Sequence, residues 1–424
     1  MMHDGSSCVY GLKHHARCLT GQPGEQEKNR FLVGTQGYRC DNEIHLLEFD
    51  EDEFEIRFHA FRHPNEIWHI APSPARPDLL ITCHREVQAS GAVRGQATLL
   101  MMGALDTDEE GNLRNNTGTL ETLLSLEPDR TLGDIHRVLW SPTGGTENIV
   151  AVGTDAFGLL SIDRGLSKAA SRQSVKIPLH DPADEILAAS WDPHNTNSIC
   201  LGAGGTVHGW DIKANTQAFK IENAHDASIR DIAFNPNKAH SLATCGDDCF
   251  IRFWDLRKAD VPVKQLNNHT HWIWSVAFNK FHDQLLLSSS SDSLVNLESI
   301  ISISSSSSSS SSSGGVEASA EKLQQTPHIR VRHHGPLEEE DEDQESNGSE
   351  AEHADDNSDE DGLDEDLESN RPTDGLVATY DQHEESVYSV AWSEADPWVF
   401  ASLSCDGRVV VNTVPREHKY KIIL

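Results

Sequence analysis

Residues Ala224 to Arg257 read AHDASIRDIAFNPNKAHSLATCGDDCFIRFWDLR, and this unit constrains the whole chain because its pattern returns. It holds three short apolar runs, Ile229 to Phe234, Ser241 to Thr244 and Phe250 to Trp254. Asn235-Pro236-Asn237 and Gly246-Asp247-Asp248 separate them, so the unit reads as short strands joined by tight turns. A sheet this small cannot cover both of its faces alone and needs copies stacked beside it, closing in a circle. The copies are visible. A β-branched residue, a small or apolar one three places on and an aromatic two further recur at Ile135-Val138-Trp140, Ile186-Ala189-Trp191, Ile229-Ile232-Phe234, Ile273-Val276-Phe278 and Val387-Val390-Trp392. A weaker copy is Ile67-Ile70. Ile186 to Ile229 is 43 residues and Ile229 to Ile273 is 44, one repeat each. Ile67 to Ile135 is 68, which places an insertion around Asp106 to Gly118; Ile273 to Val387 is 114, which places a longer one in the sixth unit.

The Ala-His opening and the Trp-Asp ending of this unit resemble a WD40 repeat, and Val9 to His59 supplies one further copy without the clean pattern. The expected fold is all-β, a seven-bladed WD40 propeller formed as a single domain by residues 1–424. In blade five, His225, Thr244, Asp248 and Trp254 suit one buried hydrogen-bond network that holds the blade together and has no catalytic role. Blade six keeps His269, Ser288 and Asp292 with Glu298 at the Trp position. Blade seven keeps His383, Ser402 and Asp406 with Asn412 there. Blade four has Trp210-Asp211 but Gly204 where Asp is expected. Ring closure has two candidates, the tail Lys419 to Leu424 and an N-terminal strand near Val9 to Leu12.

The insertion of blade six, residues 302–372, opens with a serine run from Ser304 to Ser313 and continues with Glu338 to Glu368, which holds 18 Asp and Glu and no Lys or Arg. Neither part can bury enough apolar surface to offset the entropy of ordering, so both are expected to be disordered. Leaving between a third and a fourth strand, the insertion is expected on the rim opposite the His-bearing turns. Removing its 18 acidic charges from the net −34 still leaves −16. Such a surface argues against nucleic acid and anionic lipid as partners. The chain shows no apolar signal core and no run of ~18 apolar residues, so membrane insertion is not expected. Its 8 Cys form no C-x-x-C pair and read as thiols of a reducing, cytoplasmic compartment.

No nucleophile–base pair or metal-ligand spacing is evident, so neither enzymatic activity nor a cofactor is expected. Gly202-Ala-Gly204-Gly205 lacks a following helix and reads as a blade turn rather than a phosphate loop. A different set sits one residue into each first strand: Trp68, His136, Arg230, Trp274 and Tyr388, with Trp272 close by. Aromatic and Arg side chains are enriched at interface hot spots, which makes these candidate protein-binding residues; the alternative is packing between neighbouring blades. Trp254-Asp255-Leu256-Arg257 also matches W-D-x-R, so Trp254, Asp255 and Arg257 resemble the docking motif for the cullin-4 ubiquitin-ligase adaptor. The alternative there is that Arg257 pairs with carboxylates on the blade surface.

Longer stretches resemble one WD40 family, the EARP and GARP complex-interacting proteins. They include Arg30-FLVGTQ-Gly37, Asp41-NEIH-Leu46, Glu66-IWHI-Ala71, Arg230-DIAFNPNK-Ala239, His269-THWIWSVAFN-Lys280, Tyr380-DQHEESVYSVAWSEADPWVFASLSCDGR-Val409 and the terminal Lys419-YKIIL. The resemblance covers most of the chain outside the insertion and is strongest after residue 186. It implies a non-enzymatic factor that binds and helps recruit the endosome-associated recycling and Golgi-associated retrograde tethering complexes. Endosomal recycling, retrograde transport and dense-core vesicle cargo sorting would be the processes served. The propeller would be a monomer, cytoplasmic and held at endosomes and the trans-Golgi network through subunits of those complexes. A substrate receptor of a cullin-4 ubiquitin ligase is the alternative function.

Overall fold

The computed structural model describes residues 7–38, 41–87, 91–126, 131–179, 181, 183–306 and 373–423. These form seven sheets, antiparallel but for one added strand in blade 1. The first strands are Ala16–Gly21, Glu66–Pro72, Arg137–Trp140, Ile186–Trp191, Ile229–Phe234, Ile273–Phe278 and Val387–Trp392, one for each of blades 1 to 7. Each packs against the first strand of the next, and the last packs against the first, so the sheets close into a ring. The chain is a seven-bladed β-propeller.

Burial explains the strand pattern. The second strands Leu285–Ser290 and Val399–Ser404 are buried at every position, because a neighbouring blade covers each of their faces. The outermost strands, such as Ala169–Lys176, are exposed or half-exposed. The core is therefore divided into seven apolar seams, one between each pair of adjacent blades. In the seam between blades 4 and 5, Ala188, Cys200, Val207 and Ile221 meet Ile229, Ile232, Phe234 and Leu242. The first residue of each copy of the sequence repeat lies in a seam: Ile67, Ile186, Ile229, Ile273 and Val387 are all at 0% exposure. In blades 3 and 7 the aromatic that ends the repeat reaches back to the previous blade, whereas Trp191 of blade 4 donates to Thr196 O of its own blade. The indole N–H of Trp140 donates to Ala71 O (2.8 Å) and that of Trp392 to Ala277 O (3.0 Å).

The N-terminus closes the ring. Cys8–Gly11 pairs antiparallel with Arg408–Thr413 as the outer strand of blade 7. The C-terminal tail is instead a helix, Arg416–Ile423, whose Ile422 packs on the seam between blades 6 and 7. In blade 2, residues 103–119 link the third and fourth strands. Within them Asn116–Gly118 adds a parallel fifth strand to blade 1.

The blade-five network forms in full. His225 Nδ1 lies 2.8 Å from Asp248 Oδ1, His225 Nε2 lies 2.8 Å from Thr244 Oγ1, and the Trp254 indole donates to Thr244 Oγ1 at 2.9 Å. Arg252 adds a donor to Asp248. In blade 6, His269 bridges Asp292 (3.0 Å) and Ser288 (2.9 Å), while Glu298 is buried and accepts from Asn268. Burial raises the Glu298 pKa. Blade 7 departs from expectation. His383 Nε2 meets Ser402 (2.8 Å), but the Asp406 carboxylate accepts from the Ser404 hydroxyl and from Arg408 N rather than joining His383. Blade 5 has Gly246 where blade 7 has Ser404, whereas in blade 6 the equivalent Ser290 donates to His271 O and leaves Asp292 to His269. Gly202 to Gly205 is the expected blade turn, between Ser198–Ala203 and Thr206–Asp211, with Gly204 at φ +52°.

The base of the blade-six insertion belongs to the ring. Ser304 is buried, Ser305 N and Oγ both donate to Asp283 at 2.7 Å, and Lys238 Nζ donates to the carbonyls of Ile303 and Ser304. Asp374 pairs with Lys264 and Ser302. The insertion therefore starts later than residue 302 and ends by residue 372. Asp283 lies in the turn between the first and second strands of blade 6, on the rim opposite the turns that hold His225 and Asp248. Residues 307–372, on which the expectation of disorder falls, lie outside the described residues.

Three outcomes follow from this architecture. Asp248→Ala should destabilise the ring by ~1–3 kcal/mol and more than Asp406→Ala, because only the former strands a histidine and an arginine; denaturant melts with equal or reversed effects would refute this. Deleting residues 310–371 should leave the melting temperature nearly unchanged, since loop length costs little; loss of soluble folded protein would show that the segment packs on the ring. The third concerns acid. Burial lowers His84, His136, His208 and His383 to about 4, against an ordinary ~6.5. Between those values the unfolded chain binds more protons than the folded one, so stability must fall as pH drops. Thermal melts should decline from pH ~6.5 and level off, for these groups, below about 4; a flat profile across that window would contradict it.

Candidate functional site

A small irregularity at the start of the first strands builds the site. In six blades the register with the second strand skips one residue: between Ala16 and Cys18, Ile67 and His69, Ile186 and Ala188, Ile229 and Asp231, Ile273 and Ser275, and Val387 and Ser389. A residue left out of the ladder is re-aimed while its neighbours keep their seams. The residues so released are Arg17, Trp68, Leu187, Arg230, Trp274 and Tyr388. Together with His136 at the same place in blade 3, they line one cavity of about 660 Å³ at the mouth of the central channel. All seven are half-buried. The five positions singled out in the sequence, Trp68, His136, Arg230, Trp274 and Tyr388, thus converge. Arg17 and Leu187 complete the set, and Arg85 and Arg137 also line it.

The aromatic and cationic members interlock across blades. Trp274 meets Tyr388 edge-on at 4.9 Å between ring centres, and the exposed Trp272 meets Trp274 at 6.1 Å. The Arg17 guanidinium sits 4.5 Å from the Tyr388 ring centre, 5.0 Å from Trp274 and 5.4 Å from Trp68. Arg85 covers Trp68 at 4.2 Å, and Arg230 covers Trp274 at 4.7 Å. Arg230 is locked by two bonds to Asp247 (2.7 and 2.6 Å), and the Trp274 indole donates to Ser291 Oγ (2.6 Å). Deeper in the channel, Arg137 of blade 3 reaches Asp231 of blade 5 (3.3 Å), which also accepts from Ser275 Oγ of blade 6 (3.2 Å). Asp134 and Glu185, just before the first strands of blades 3 and 4, supply the acidic part of the lining. The alternative of inter-blade packing is what these contacts show. The rings touch across blades and still present surface to solvent.

Arg17 was not found from sequence because its strand, Ala16-Arg-Cys-Leu-Thr-Gly21, lacks both the β-branched start and the final aromatic of the repeat. The signal that could have found it is the ring itself, since a seventh blade demands a seventh residue at that offset before Phe31.

The W-D-x-R residues lie apart from the mouth. Trp254 is buried in the blade-five network. Arg257 folds back on Asp255 (2.9 and 2.6 Å) with 67% of its side chain exposed, so the pairing with a surface carboxylate is the one the structure shows. Among the described residues no group of three or more His, Cys, Asp or Glu side chains is placed to hold a metal ion, and no helix is long and apolar enough to cross a membrane.

Comparison with known proteins gives one consistent picture. The model of the EIPR1 beta-propeller family matches residues 4–298, and that of the WD domain, G-beta repeat, matches residues 375–411. The EARP and GARP complex-interacting protein 1 of Homo sapiens is 37% identical over 430 residues, covering 100% of both chains. The EARP-interacting protein homolog of Gekko japonicus is 36% identical over 428 residues, again covering 100% of both. The EARP-interacting protein 1 of Caenorhabditis elegans is 31% identical over 427 residues, covering 99% of each. A family model spanning well over half of the chain and full-length relatives above 30% identity place the chain in the EIPR1 beta-propeller family.

Proposed function

We propose that this propeller is a non-enzymatic scaffold that binds the EARP and GARP vesicle-tethering complexes and helps recruit them in endosomal recycling and retrograde transport. Its association with endosomes and the trans-Golgi network would be peripheral, through those partners. Likeness along the full chain to proteins named for interaction with EARP and GARP supports the choice of partner. One geometric observation supports the place: the bulges of the first strands gather Trp68, Arg230, Trp274 and Tyr388 at a single mouth. A cluster of Trp, Tyr and Arg can supply the central anchors of an interface of ~1,200–2,000 Å². The mouth is also on the rim opposite the turn that holds Asp283, to which Ser305 at the base of the insertion is bonded.

The test is affinity purification from cells. The wild-type chain should recover tethering-complex subunits. Trp274→Ala combined with Tyr388→Ala should weaken that recovery at least about ten-fold, the loss expected of a hot-spot pair worth upwards of ~1.4 kcal/mol, without lowering the melting temperature in proportion. A double mutant that folds normally and recovers the complexes at wild-type levels would show the mouth to be the wrong place. Recovery of the cullin-4 adaptor in place of tethering subunits would show the ubiquitin-ligase reading of Trp254, Asp255 and Arg257 to be the right one.

A further inference from the structure

Four arginines reach the mouth, and they are not equivalent. Arg137 has Asp231 and Arg230 has Asp247. Arg85 is exposed and lies over Trp68. Arg17 occupies the centre, half-buried among Trp68, Trp274 and Tyr388, and among the described residues no carboxylate or other acceptor meets its guanidinium. Burial, helped by the nearby Arg230 and Arg85 charges and opposed by Tyr388, lowers its pKa. A guanidinium nevertheless stays protonated throughout the physiological range. A cation taken partly out of water and repelled by its neighbours is compensated here by aromatic faces, with no paired carboxylate among the described residues. Its faces are engaged by aromatic rings, and what a stacked guanidinium has left to offer is its N–H edge, a fork that matches an oxyanion in two-point contact.

We propose that Arg17 is the centre of an oxyanion subsite that takes a carboxylate from an acidic segment of the partner protein. The inference rests on the reading of the mouth as the partner-binding place and adds the partner's chemistry. The surroundings favour this ligand. Within the mouth Arg137 and Arg230 are neutralised by Asp231 and Asp247, so the positive charge offered to an acidic segment is that of Arg17 and Arg85, on the side of the aromatic rings. Asp134 and Glu185 lie in blades 3 and 4, whereas Arg17, Arg85 and Arg230 lie in blades 1, 2 and 5 beside the aromatic rings, which fixes the direction from which an anion is drawn. Apolar side chains next to the carboxylate would contact Trp272 and Trp274.

The test uses the full chain and a fluorescein-labelled peptide, GLEDFEG, with its amide counterpart GLQNFQG and inorganic phosphate as comparisons. Anisotropy titration should show binding of GLEDFEG and at least about ten-fold weaker binding of GLQNFQG, as expected for loss of a charge-assisted pair. Arg17→Met should lose GLEDFEG to a similar degree while its melting temperature stays close to that of the wild type, because no ion pair is broken and Met keeps contact with the rings; Arg17→Lys should fall between. A purely structural Arg17 would instead lower the melting temperature in Arg17→Met and leave the affinity of the folded fraction unchanged, which overturns the proposal. So would no binding of GLEDFEG to the wild type, equal binding of the two peptides, or displacement of GLEDFEG by phosphate at equal concentration, the last marking a phosphate site. Failure here is separable from failure of the docking surface. Loss of tethering complexes in the Trp274–Tyr388 double mutant with none in Arg17→Met keeps the docking surface and removes the subsite; peptide binding that depends on Arg17 with complexes retained by the double mutant does the reverse.

Discussion

Every other feature of this molecule depends on the burial of both faces of each small sheet against its neighbours. A four-stranded sheet of short strands has no core of its own, and its stability is the stability of the seams on either side of it. Converting one of the seam residues to alanine costs ~2–5 kcal/mol. The polar network of a blade is worth ~1–3 kcal/mol when broken. The seams therefore hold the ring, and the networks fix the local geometry of turns. This ordering explains why blades 4, 6 and 7 tolerate missing or altered network residues. Gly204, Glu298 and Asn412 stand where Asp or Trp stands in blade 5, yet the seams beside them remain closed.

The same requirement accounts for ring closure. A propeller made by one chain has a free edge where its ends meet, and an unpaired strand edge invites association with other chains. Pairing Cys8–Gly11 with Arg408–Thr413 satisfies the edge and ties the two ends of the sequence into one sheet. The C-terminal segment, released from that task, forms a helix against the neighbouring seam.

The mouth follows from a conflict between two periodicities. A strand places alternate residues on opposite faces, and both faces of a first strand are committed to seams. A single skipped residue resolves the conflict, because it is removed from the alternation and can point into the channel. Repeating that device around a ring converts one side chain per blade into a contiguous surface. Blades 1, 2, 5, 6 and 7 use it for Arg, Trp and Tyr, which can stack on one another and still carry polar edges. Blades 3 and 4 place His136 and Leu187 there, and the mouth is correspondingly lopsided.

By itself the sequence determined the blade count and the repeat offset at which the mouth residues of the clear repeats stand, because these are set by spacing within units of constant length. It also located both insertions, through the residues added between repeats. Closure of the ring was left to the tertiary structure, since both termini carry strand-compatible residues and only the geometry of the last blade chooses between them. So was the disengagement of Asp406 from His383: Ser404 donates to the carboxylate, while the equivalent Ser290 of blade 6 donates to a carbonyl instead, a choice of acceptor that no spacing rule weighs. Arg17 was hidden for the same reason in a sharper form. Its strand has lost the repeat's markers, and its place is defined by Trp68, Trp274 and Tyr388, which are distant along the chain and meet only when the ring closes.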